Sequence, residues 1–235
     1  MIFEYNFNKL NYLANISASK NILYMETPKV CCSTIKKYLQ IIETNGDYSL
    51  LPDNVHDKVN SPLKSPSEIE LPISRLFSGD EFLRFSFVRN PFTRVLSAYL
   101  DKIVQNQWER HRHLPALGFN RGANVGFREF LERIHAQPPL ERDIHFMSQY
   151  DILRPDRVKY HFLGNFEKFS HDYSHLQDLI SATATIRDSS INWHATNASN
   201  RIGEYYGEIE TTLVRTIYIN DFIYFGYSME LSDIR

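Results

Sequence analysis

Twice in this chain a short β-prone run passes through a few polar residues into an amphipathic helix, and this grammar restricts the fold more than any other feature. In the first instance NILYMET (Asn21 to Thr27) leads through Pro28 to a helical pattern of Ile35, Tyr38, Leu39 and Ile42. In the second, RFSFVRNPF supplies Phe85, Phe87 and Val88 for a strand, Asn90 as a cap and Pro91 for the first helical position, where its missing N–H costs nothing. The helix that follows presents Phe92, Val95, Leu96, Tyr99, Leu100 and Ile103 on one face. Alternating strands and helices predict an α/β fold, a three-layer sandwich around a central, mainly parallel sheet.

Farther along, Phe127 to Ala136 reads as a helix, Lys159 to Gly164 as a strand and Phe166 to Ile180 as a helix. The aromatic-rich tail, Glu204 to Phe225, reads as a closing helix. Between these elements the segment Asp47 to Ser74 holds Pro52, Pro62, Pro66 and Pro72 and is predicted to be loop-rich. With 43% apolar and 14% aromatic residues the 235-residue chain can bury a sizeable core, and a single domain over 1–235 is expected.

Charge and cysteine content narrow the chemistry. A net charge of -2 argues against a protein that wraps nucleic acid, so any anion site must be local. The two cysteines, Cys31 and Cys32, are adjacent, which excludes a disulfide framework and suits a reducing compartment. The sequence contains neither an apolar run long enough to span a membrane nor a secretory signal, so the chain as given reads as cytoplasmic. The sequons at Asn15 and Asn197 then read as chance matches.

Loops that leave a strand and open a helix bind phosphates, because free backbone N–H groups and the helix dipole both favour an anion. TPKVCCSTIK (Thr27 to Lys36) offers Lys29, the hydroxyls of Ser33 and Thr34, and Lys36 farther along. It is not a Walker A loop, since the first glycine of the chain is Gly46. A plain capped helix, with Ser33 or Thr34 as N-cap and Lys29 solvated, accounts for the spacing equally well. FVRNPFTRVLSAY (Phe87 to Tyr99) offers Arg89 and, eight residues later, Ser97. Here the plain alternative makes Arg94 and Asp101 solvent-facing charges and Ser97 a small packing residue.

Together the two loops resemble those of the Golgi-type carbohydrate sulfotransferases and their bacterial relatives, which take a sulfuryl group from 3′-phosphoadenosine 5′-phosphosulfate. Pro28, Lys29, Ser33 and Thr34 match the family's 5′-phosphosulfate loop; Arg89, Asn90, Pro91, Phe92, Ser97, Ala98 and Tyr99 match its 3′-phosphate motif. Weaker similarity covers Arg142 to Leu153, His161 to Phe169 and Tyr218 to Tyr227. Two positions depart from the pattern: Cys31, where relatives carry Gly or Ala, and Phe146, where they carry Trp after His.

The resemblance implies a P-loop-like sulfotransferase fold and transfer to a hydroxyl, with a carbohydrate as the expected acceptor. Lys29 would offset charge on the leaving phosphate oxygen, and Pro28, Lys29, Cys32, Ser33 and Thr34 would hold the 5′ end of the donor. Arg89 and Ser97 would hold the 3′ phosphate, with Arg201 as a further candidate contact and an exposed structural arginine as its other reading. His145 is the expected base, with His56 its competitor. No metal is expected: His111 with His113, and His171 with His175, lack an obvious third ligand in sequence. The basic run Glu109 to His113 reads as a solvated loop that could contact an anionic sugar, and Asp47 to Ser74 and Gln105 to Val125 are the expected acceptor loops. Two other classes stand beside this reading: a phosphotransferase, against which the missing Walker A glycines and Mg²⁺ carboxylates argue, and a nucleotide-binding protein of the same fold without transfer activity.

Overall fold

Both strand–loop–helix units form. In a computed structural model, which describes residues 3–181 and 196–234, the order is α1 (Phe7–Leu13), β1 (Ala14–Ser17), β2 (Ile22–Met25), α2 (Cys32–Glu43), α3 (Ile73–Ser78), β3 (Leu83–Val88) and α4 (Pro91–Tyr99). There follow α5 (Gln107–Ala116), α6 (Phe127–Ala136), α7 (Gln149–Leu153), β4 (Phe162–Asn165), α8 (Phe169–Ser181), α9 (Ile202–Tyr205), α10 (Glu208–Ile217) and α11 (Ile219–Phe225). The chain gathers into two compact units, Met1–Val88 with Leu153–Trp193, and Arg89–Ile152 with His194–Arg235.

The first unit carries the sheet, a four-stranded one in the order β1-β2-β3-β4. The pairs β2/β3 and β3/β4 are parallel and β1/β2 is antiparallel, so the expected mainly parallel sheet has a reversed edge strand. Period-2 alternation sends Tyr24, Phe85 and Phe87 to one face, where Ile35, Tyr38 and Leu39 of α2 and Phe169, Tyr173 and Leu176 of α8 cover them. Tyr24 stacks on Phe85 with centroids 5.1 Å apart. Opposite Phe87 in the β3/β4 register is Gly164, and a Cβ there would run into the Phe87 ring, so the close approach requires glycine. The expected strand from Lys159 begins instead at Phe162: Arg84 is fully buried, its Nε donating to the Lys159 carbonyl at 2.9 Å, which diverts the preceding residues from the ladder.

The second unit is helical. All nine residues of α4 are buried, and the apolar run continues past Tyr99 as a π-helical turn, Leu100–Gln105, that keeps Leu100 and Ile103 in the core. Phe127, Phe130 and Ile134 of α6 and Val214 and Ile217 of α10 close on it. The expected single closing helix is three helices, because Gly207 and Tyr218 leave helical geometry and restart the chain, Gly207 N–H being capped by Glu210 at 2.9 Å. The run Glu109 to His113 is not a loop but part of α5, so the expected acceptor loop from Gln105 to Val125 is largely helical before Leu117. No described helix is long and apolar enough to cross a membrane.

Candidate functional site

In the first unit, β2 delivers the chain into the loop that starts α2. Thr27 is fully buried and its hydroxyl donates to the Phe87 carbonyl, tying the loop's first residue to β3. Pro28 is buried too, and the backbone then turns left-handed at Lys29 (φ 73°) and again at Cys31 (φ 50°). Turns of this kind gather N–H groups around a concavity that suits an anion. Cys31, not Ser33 or Thr34, is the N-cap, and its side chain makes no capping hydrogen bond. The first-turn N–H groups and the dipole of a twelve-residue helix are therefore directed at the loop, with the half-buried Lys29 beside them. The two hydroxyls instead lie in the first turn, where Thr34 is buried.

Behind the loop lies a buried charge network. Lys36 Nζ lies 2.5 Å from a Glu26 carboxylate oxygen, both side chains 2% exposed, and 2.9 Å from His56 Nδ1. An ammonium can only donate, so Nδ1 accepts and Nε2 carries the proton, which it donates to Ser33 Oγ at 2.9 Å. Burial acts most strongly on Glu26 and pushes its carboxyl up, but Lys36, His56 and Lys58 together hold it below its ordinary value. Burial, reinforced by Glu26, pushes the Cys32 thiol up to about 12, which favours its protonated form. Burial also lowers Lys58, to about 8.

In the second unit, α4 starts differently. The Asn90 side chain accepts from Phe92 N–H at 3.0 Å, so this helix start is capped by the chain itself, and an anion here would have to be held by side chains. Arg89 is 5% exposed; its Nε donates to Thr93 Oγ1 at 3.0 Å, and its backbone exchanges two 2.8 Å hydrogen bonds with the Gln149 side chain. Thr93 lies one helical turn before Ser97, whose Oγ accepts from Thr196 at 2.8 Å. Positions 89, 93 and 97 thus share a face. Thr93 is not among the sequence candidates, yet its i, i+4 spacing between Arg89 and Ser97 is a signal that marks it.

His145 belongs to a pinned loop. Its Nδ1 lies 2.6 Å from Asp143 Oδ1, which also accepts from the His145 backbone N–H at 2.9 Å. Burial opposes the Asp143 charge, but His145 overcomes it and holds the carboxyl well below the usual range. With the carboxylate on Nδ1, the nitrogen that carries the basic lone pair is Nε2. The carbonyls of Met147 and Ile144 accept from Arg94 at 2.8 and 3.4 Å, and that of Phe146 from Tyr218 at 2.8 Å. Arg94 is therefore not a surface charge: it is 1% exposed and holds the strand of chain that carries His145. Phe146 is buried against Phe130 and His113, with centroids 5.0 and 5.3 Å apart. Burial pushes His113 down to about 4.

Arg201 has local partners: Glu204 Oε2 at 2.9 Å, the Tyr205 hydroxyl at 2.8 Å and the Tyr205 ring beneath its guanidinium. Thus the first unit assembles Pro28, Lys29, Cys32, Ser33, Thr34 and His56 around one helix start. The second holds Arg89, Ser97, His145 and Arg201, with Arg89 and Ser97 joined through the Thr93 face.

The chain spans about three fifths of the length of the relatives it matches first. It is 25% identical to carbohydrate sulfotransferase 14 of Danio rerio over 91% of this chain and 62% of that protein. It is 23% identical to carbohydrate sulfotransferase 11 of Mus musculus over 94% of this chain and 68% of that protein, and 26% identical to carbohydrate sulfotransferase 9 of Homo sapiens over 88% and 50%. No solved structure matches. A family model described as the sulfotransferase family matches residues 13–228, which contain both strand–loop–helix units and every residue placed above, and the chain belongs to that family.

Proposed function

We propose that the chain transfers a sulfuryl group from 3′-phosphoadenosine 5′-phosphosulfate to a hydroxyl of a carbohydrate. The observation that carries this reading is the opening of α2: a left-handed turn at Lys29 and Cys31 before a helix whose N-cap side chain does not cap it. Such a start suits a phosphate ester. Carbohydrate as the acceptor class is supported by the names of the relatives. A three-layer, P-loop-like arrangement of the described sheet and helices is part of the same proposal.

In this mechanism the N–H groups of the first turn, with Ser33 and Thr34, hold the donor's 5′ phosphate. Arg89 contributes a fork-shaped donor to the 3′ phosphate and Ser97 one further hydrogen bond. Arg201 is a candidate third contact, reached by leaving Glu204. The acceptor hydroxyl gives its proton to His145 Nε2 as its oxygen bonds to sulfur. The bond from sulfur to the bridging phosphate oxygen breaks, and Lys29 offsets the charge that develops there. The products are the sulfate ester and 3′-phosphoadenosine 5′-phosphate. No step needs a metal. His56 is less suited to be the base, because in the tautomer its neighbours impose, its lone pair already accepts from Lys36.

Calorimetric titration with 3′-phosphoadenosine 5′-phosphate, against ATP and AMP, tests the reading. Selective binding that is lost in Arg89→Ala is expected, followed by sulfated product from a carbohydrate panel. Absence of binding in a folded sample, or turnover of ATP with Mg²⁺ instead, would overturn it.

A further inference from the structure

The sequence offered His111 and His113 as a pair without a third ligand, but folding brings two further donors to His113. Its Nδ1 lies 3.8 Å from Asp143 Oδ2, and Asp143 Oδ1 lies 2.6 Å from His145 Nδ1. The three ligand atoms fall within 4.8 Å of one another, and all three residues belong to the second unit. An ion with bonds of about 2.0–2.1 Å to nitrogen or oxygen separates tetrahedral donors by about 3.4 Å, a value these spacings bracket. The His113 and His145 rings meet edge to face with centroids 5.7 Å apart, leaving the carboxylate between them.

The next layer fits as well. His113 Nε2 lies 3.3 Å from Glu109 Oε2, a buried carboxylate oxygen that is also ion-paired with Arg112. With a cation on Nδ1, the proton of neutral His113 belongs on Nε2, where it satisfies that oxygen. A carboxylate behind a ligating histidine orients the ring and raises its basicity. Without a cation Nε2 accepts from Arg112 Nη2 at 3.1 Å; Arg112 is half exposed and also lies 3.0 Å from Glu109 Oε2, so on metal binding it can turn to that carboxylate alone.

We propose that His113, Asp143 and His145 form a site for a divalent transition-metal cation, with Zn²⁺ as the best match to two imidazoles and one carboxylate. Mg²⁺ and Ca²⁺ favour all-oxygen sites and fit poorly. The site has a consequence that rests on the proposed function: metal on His145 Nδ1 moves that ring's proton to Nε2. The lone pair assigned to the acceptor's proton is then gone, so bound Zn²⁺ inhibits sulfuryl transfer.

The experiment titrates Zn²⁺ into the metal-stripped full chain by calorimetry, with the absorption spectrum of the Co²⁺ form as a readout of ligand type. One ion per chain is expected. Asp143→Asn and His145→Gln, both at partly exposed positions, should each weaken binding about tenfold or more, as should Glu109→Gln from behind His113. His111→Ala should bind as wild type, because that ring bonds to the Gln107 carbonyl of its own helix. Circular dichroism verifies folding of each variant. Unchanged affinity in both Asp143→Asn and His145→Gln, or equal loss in His111→Ala, overturns the site. Binding without inhibition leaves the site standing and overturns His145 as the base; no binding with His145-dependent transfer does the reverse.

Discussion

Replacing Lys36 by Met tests the charge network behind the helix start. At 2.5 Å the attraction to Glu26 is about 7 kcal/mol at an effective dielectric constant of about 20, set against several kcal/mol to desolvate each ion. The pair as a whole is then near balance, but removing one partner strands the other, and Lys36→Met should cost about 3–5 kcal/mol. Glu26→Gln with Lys36→Met removes both charges and should cost about 1–2 kcal/mol, chiefly because His56 Nδ1 loses its donor. Urea unfolding at neutral pH, followed by circular dichroism, measures both. The pH profile supplies an independent sign. In the wild type the folded Glu26 pKa lies below its ordinary 4.5, so its contribution is intact above about 4.5 and is lost as pH falls through the folded value. Without Lys36, burial dominates over His56 and Lys58 and raises the folded pKa. The variant then loses stability as pH rises above about 4.5, a fall this group does not produce in the wild type. A cost under about 1 kcal/mol, or a profile parallel to wild type, would refute the buried pair.

Gly164→Ala should lose about 1–3 kcal/mol in the same unfolding assay, because the new methyl meets the Phe87 ring in a filled core; a neutral result would refute the close packing. Cys31→Gly should gain about 0.5–1 kcal/mol, since glycine reaches φ 50° without the Cβ penalty and gives back part of that gain as chain entropy. Arg94→Met should cost about 2–3 kcal/mol and lower kcat while sparing donor affinity, as the carbonyls flanking His145 lose their donor. Burial raises Asp221 to about 6, so its contribution is full below about 3.8 and is lost as pH rises through about 6. Asp221→Asn should abolish that loss, and a variant whose stability still fell over this range would refute it.

Local signals carried what the sequence made legible. Asn90 as cap, Pro91 at the first helical position and an uninterrupted apolar face specify α4 without help from elsewhere, and α6 follows from periodicity alone. Strand β1 has only four residues and owes its state to pairing with β2, so its own sequence says little. Helix α5 carries no apolar stripe to mark it: only His113 and Leu114 within it are buried, and Pro115 stands inside the helix. The same limit applies to the candidate site. Lys29, Ser33, Thr34, Arg89 and Ser97 stand out as candidates by their spacing, whereas the burial of Lys36 and Arg94 and the meeting of His113 with Asp143 depend on residues far away in sequence.

The contrast between the two helix starts bears on how each tolerates substitution. At α2 the groups that would face the donor's phosphate in the proposed mechanism are main-chain N–H groups, which every residue except proline supplies. A saturation scan across Cys31 to Ile35 should therefore register changes of backbone conformation, above all proline, more sharply than changes of side-chain chemistry. At α4 the Asn90 oxygen has already taken the cap, so in the proposed mechanism recognition rests on Arg89 and Ser97, and the scan should show intolerance sharply localised to those side chains. Two loops built on one strand-to-helix grammar would thus leave opposite mutational signatures, one diffuse and conformational, the other punctate and chemical.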